Sequence, residues 1–160
     1  MKTTQLIAKQ VRDVYTDGNW SWATLREKIA DVTWQEATTK IYGLNTIAAL
    51  VYHMNYYTHE VANALEGQEF TASDKFAFLH PPIKSKEDWE SMLTQVFADG
   101  ERLAKQIELL NDNILNEYFQ QEKYGNHFRN FCGIIEHFHY HLGQIVIIKK
   151  ILDAQKENKI

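Results

Sequence analysis

Cysteine, proline, glycine and net positive charge are all scarce in this chain. Cys132 is the single cysteine among 160 residues. It excludes an intramolecular disulfide, a thiolate zinc cluster and a C-x-x-C redox motif, and it fits a reducing, cytoplasmic setting. Two prolines and seven glycines leave few chain breakers. Lys and Arg number 17 against 21 Asp and Glu, a net charge of −4 with neutral histidine. With no cationic excess to neutralise phosphates, nucleic acid is not an expected partner. Long apolar runs are missing too. Runs such as Ile145 to Ile148 fall far short of the roughly 20 residues that span a bilayer. Lys9, Gln10 and Arg12 interrupt the N-terminal segment, so neither a secretory signal nor a membrane span is expected.

What is present is ordinary for a globular chain: 44% hydrophobic and 24% charged residues. One domain over residues 1–160 is expected. Periodic apolar runs with so few breakers predict an all-α protein. The first helix spans Thr3 to Tyr15, with Ile7, Val11 and Val14 at helical spacing and a stop at Thr16-Asp17-Gly18-Asn19. A short helix from Trp22 to Ile29 follows, with Ser21 as its cap. Thr33 and Glu36 form a capping-box pattern for one or two further turns. A long helix runs from Asn45, its expected cap, to Leu65, and Gly67 stops it. Residues 68–84, with Pro81-Pro82, read as a loop whose Phe70, Phe76 and Phe78 pack back on the helices. Ser85 to Asp88 starts the next helix, whose Trp89, Met92, Val96, Leu103, Ile107 and Leu110 share one face. The last helix, Asn126 to Leu152, is apolar nearly all round, as a buried helix is. Four long helices with short extra ones and one long connection suggest a four-helix bundle.

Seven histidines are many for 160 residues, and their placement carries the chemistry. At about 100° per residue, His137 and His141 lie on one helical face, and His139 lies on the other. An i, i+4 histidine pair is how one helix offers two imidazoles to a metal. Alone, such a pair recurs by accident. Here it sits in the most apolar helix, where an unpaired polar ring is costly, and a shared cation would satisfy both rings. Phe138 after the first histidine excludes the H-E-x-x-H protease motif. Glu136-x-x-His139 has no second copy, which excludes the di-iron bundle pattern. A third ligand must come from another helix. His53 lies mid-helix, four residues after Ala49 and three after Leu50, and points inward with them. Three ligands with an open fourth position is the pattern of a catalytic zinc site. Zn²⁺ and Ni²⁺ suit imidazoles best, and Fe²⁺ or Mn²⁺ is also compatible.

The run His137-x-x-x-His141-Leu142-Gly143-Gln144-Ile145, with His53 upstream, resembles the DinB-like superfamily (the DinB and YfiT-like proteins). The similarity covers the order of elements, the length and the histidine spacing. It implies a DinB-like four-helix bundle, often a homodimer, with a metal triad at His53, His137 and His141. It also implies kinship with transferases that use the thiols bacillithiol or mycothiol.

Gln144 and Asn130 lie seven residues to either side of His137, on the same face. Gln144 can orient a ligand or a bound water. Gly143 suggests that another helix approaches closely, since a helix-interior glycine otherwise costs about 1 kcal/mol. Tyr56 and Tyr57 flank His53 and can line a pocket or fill the core. Glu60, about 10 Å along the helix from His53, is too far to share the metal and can act only as a remote acid or base. His59 and His127 read as exposed, His80 as a loop residue, His139 as a packing or subunit contact, and Cys132 as a core residue. Two readings stay open. In one, the metal activates a thiol or water toward a small electrophile. In the other, the protein binds a metal or small molecule without turnover. The more than one-sided apolar surface of the last helix adds an expected homodimer contact.

Overall fold

The computed structural model describes residues 1–16 and 18–157. Six helices are present among them: α1 (Thr3–Tyr15), α2 (Leu25–Ile29), α3 (Trp34–Thr38), α4 (Ile47–Leu65), α5 (Lys86–Leu109) and α6 (His127–Glu157). Two short 3₁₀ segments, Asp112–Asn116 and Glu122–Tyr124, fill the connection between α5 and α6. Among the described residues there is no strand, only an isolated bridge between Tyr118 and Asn126.

Local chemistry sets the helix ends. At α3 the expected capping box is present, with the Thr33 N–H donating to Glu36 Oε2 at 2.8 Å and the Glu36 N–H donating to Thr33 Oγ1 at 3.3 Å. At α5 the Asp88 N–H donates to Ser85 Oγ at 3.2 Å. Two caps differ from expectation. Thr46, not Asn45, accepts the Ala49 N–H at 3.1 Å. Thr24, not Ser21, accepts the Glu27 N–H at 3.2 Å. Ser21 is diverted because its N–H and hydroxyl both donate to Asn19 Oδ1, a local turn that competes with capping. The next helix therefore begins three residues later than expected. Of the stop after α1, Asp17 lies outside the described residues. The helix itself ends where expected, with the Thr16 N–H on the Arg12 carbonyl. Asn126 starts α6 by accepting the Arg129 N–H at 2.9 Å. The helix continues past Leu152 to Glu157.

The four long helices pack in a closed ring: α1 against α5 and α6, and α4 against α5 and α6. Short α3 rests on α4, and α2 on α6. Tyr15 joins all four. Its ring lies 4.4 Å from that of Phe138 on α6, and its hydroxyl donates to Thr58 Oγ1 on α4 at 2.9 Å. On α5, a Cβ at Gly100 would stand 2.7 Å from the Tyr15 ring. The helix-interior glycine that admits a neighbour is thus Gly100. Gly143, expected in that role, has nothing within 4 Å of where its Cβ would stand.

A polar seam runs between α4 and α5. Buried Asp99 accepts from Asn55 Nδ2 at 2.9 Å and contacts His59 Nδ1 at 3.2 Å. His59 is therefore half-buried rather than exposed. Across the connection after α4, Phe70 packs edge-on against Phe119 and Tyr124. Phe76 is exposed, contrary to expectation, with the Lys75 ammonium 5.4 Å from its ring centroid. No helix among the described residues is long and apolar enough to cross a membrane.

Candidate metal centre

The middle turns of α4 and α6 face each other inside the ring, and that facing places three imidazoles together. His53 and His141 are buried and His137 is half-buried. The Nε2 atoms of His53 and His137 lie 2.9 Å apart. One ligand nitrogen from each of the three rings lies within 4.8 Å of the others. Ring centroids are 4.8 Å apart for His53 and His137, 4.7 Å for His53 and His141, and 4.5 Å for His137 and His141.

Each ring is held from behind. His141 Nδ1–H donates to Gln144 Oε1 at 3.0 Å, which fixes the tautomer and leaves the Nε2 lone pair free. Phe78, from the connection after α4, stacks on His53 with centroids 3.8 Å apart and planes within 8°. Tyr57 meets His53 and His137 edge-on, and its hydroxyl donates to Asp74. Tyr140 lies edge-on to His141.

Burial favours the neutral form of all three rings. Burial, reinforced by its two partner rings, pulls His137 down to about 4. Burial likewise lowers His53, with His141 adding to the effect and the Ala77 backbone opposing it. Burial lowers His141 against the pull of Gln144. Neutral imidazole is the form that ligates a metal.

The residues present fit a divalent first-row ion. A tetrahedral zinc with nitrogens at 2.0–2.1 Å holds its donors about 3.4 Å apart. The observed spacings bracket that value.

A cavity of about 410 Å³ opens beside His53 and His137. Tyr57, Phe70 and Asp74 form one wall, and Arg129, Gly133 and Glu136 of α6 form the other. Asn130 also lines it, but its amide donates to the Tyr124 and Asn126 carbonyls and so holds the start of α6. Glu60 neither lines this cavity nor bonds to the triad. It lies near Tyr52, whose hydroxyl it helps push up behind burial and Tyr56.

The remaining histidines stay apart from the centre. His139 donates back to the Ile135 carbonyl at 3.0 Å and lines a separate cavity of about 920 Å³ with Asp13 and Trp22. His127 is buried, not exposed, with Nδ1 on the Glu117 carbonyl at 3.0 Å. The chain folds back there to close the isolated bridge. His80 is a loop residue as expected. Cys132 is half-buried rather than core, and burial with Glu136 nearby pushes its thiol up, which suits no nucleophile. Phe78, Asp74, Arg129 and Glu136 are additions that sequence reading missed. Arg129 alone left a signal, being two helical turns before His137. Comparison with protein-family models, with curated proteins and with solved structures finds no match for this chain.

Proposed function

We propose that this protein is a divalent-metal-binding bundle of the DinB-like type, with His53, His137 and His141 holding one ion, Zn²⁺ or Ni²⁺ first and Fe²⁺ or Mn²⁺ next. The convergence of three neutral imidazoles from two helices on one point carries this reading. The closed ring of α1, α5, α4 and α6 supports the four-helix bundle assignment. Three protein ligands is the donor count of catalytic rather than structural sites.

A bound divalent ion supplies acidity, lowering the pKa of a thiol or water so that a nucleophile exists near neutral pH. The chain's own residues do the rest. Gln144 keeps the His141 lone pair facing inward, Phe78 and Tyr57 hold the ring planes, and the adjoining cavity admits a small thiol or electrophile. The resemblance of the His137 to Ile145 run favours thiol S-transfer over hydrolysis. One observation favours metal or ligand binding without turnover: the Asp74 carboxylate beside the cavity is engaged by Tyr57, so it is not a free base. The exposed Tyr140 and Ile147 beside Gly143 support a second copy of the chain seated on α6, and the single thiol supports a cytoplasmic protein.

Elemental analysis after loading with Zn²⁺ or Ni²⁺ and exhaustive dialysis tests the site. Wild type is expected to retain one ion per chain, and His141→Ala to lose most of it with helix content unchanged. Equal retention in both proteins defeats the proposal. Metal-dependent consumption of a small thiol with a chlorinated dinitrobenzene then separates catalysis from binding.

A further inference from the structure

One strip of α6 runs from the candidate metal centre to Arg129. Arg129, Gly133 and His137 are spaced four residues apart on α6 and all line the same cavity. Gly133 is the gap between them. Nothing stands within 4 Å of where its Cβ would be, so any larger side chain there would project into the cavity. From His137 to Arg129 the helix rises about 12 Å.

Arg129 is exposed on the first turn of α6. The arginine stem crosses the turn at Gly125, where a Cβ would lie 2.8 Å from Arg129 Cδ and a φ of +75° favours glycine. Its Nη1 donates to the Tyr124 carbonyl at 3.1 Å, which leaves most of the guanidinium fork unspent. The other arginines are committed: Arg12 to Glu101 and Glu108, Arg102 to Asp99 and Glu66, and Arg26 over the Phe97 ring. Among the described residues no carboxylate lies within ion-pair distance of Arg129. Of the two carboxylates in the cavity, Asp74 is engaged by Tyr57, and Glu136 is exposed beside His137, at the opposite end from Arg129.

We propose that the cavity takes an elongated small molecule whose metal-binding end sits at the histidines and whose carboxylate is gripped by Arg129, with Gly133 leaving the passage between them. Guanidinium is the side chain that pairs a carboxylate through two parallel N–H donors. The inference rests on the metal reading above and adds to it the charge and reach of the ligand.

Co²⁺-loaded protein tests it without any turnover, since a thiolate bound to cobalt gives a charge-transfer absorption. The probes are three thiols of one length, 6-mercaptohexanoate, 6-mercaptohexanol and 6-aminohexanethiol, with 3-mercaptopropionate as a short control. The carboxylate thiol is expected to bind at least about tenfold tighter than the alcohol, an ordinary gain for a charge-assisted pair. Arg129→Gln should make the two equal, and the short acid should gain nothing over the alcohol. Gly133→Leu should weaken the long acid while cobalt binding is retained. Tighter binding of the amine, which would point to Glu136, or equal binding of acid and alcohol to cobalt-loaded wild type, overturns this inference alone. Failure of cobalt to bind at all overturns the metal reading and this inference with it.

Discussion

At the scale of single residues, the centre is governed by the cost of charging three buried rings. His137 titrates at about 4 in the folded chain, against about 6.5 for an unfolded histidine. Between those values the unfolded chain binds more protons, so stability rises with pH. The contribution is fully present above about 6.5 and is lost as pH falls from there toward 4. Thermal melts of metal-free protein should therefore show Tm falling across this interval, and His137→Gln should flatten the fall. An unchanged slope in the variant would mean that other groups govern it. The triad itself was readable from spacing. The i, i+4 pair and the mid-helix position of His53 follow from helical geometry alone. Phe78 was not readable as the partner of His53, because no periodicity links a loop residue to a ring 25 positions earlier.

At the scale of elements, capping shows where local chemistry suffices and where it does not. Ser85 and the Thr33–Glu36 pair were identifiable because their partners lie three residues away. Asn45 is the stronger N-cap by residue type, yet Thr46 takes the position, its hydroxyl accepting the Ala49 N–H. Thr46→Ala should destabilise the protein by about 1 kcal/mol and Asn45→Ala by little, measured as denaturant midpoints at constant slope. A reversed order would place the helix start one residue earlier. The cap of α1 was beyond local reading. Asp112 accepts the N–H groups of Thr3 and Thr4 at 2.8 and 2.9 Å, from more than a hundred residues away. Those bonds hold its carboxyl down at about 2, so this contribution is present above the ordinary aspartate range and is lost as pH falls toward 2.

At the scale of the whole molecule, Tyr15 is the point where the four long helices meet. Gly100→Ala would drive a methyl into its buried ring at 2.7 Å, and neither group has room to yield. The expected loss is about 1–3 kcal/mol, read from chemical denaturation, whereas Gly143→Ala, which meets nothing, should gain about 1 kcal/mol from helix propensity. Equal effects would mean that helix propensity, not packing, sets the cost. Helical class, the four long segments and the histidine pair followed from the chain alone, because hydrophobic period and i, i+4 geometry are short-range properties. Which glycine receives a neighbour, how the loop after α4 closes over His53, and which arginine reaches the cavity came from tertiary packing. Each of these depends on residues distant in sequence becoming neighbours, and no local pattern encodes that distance.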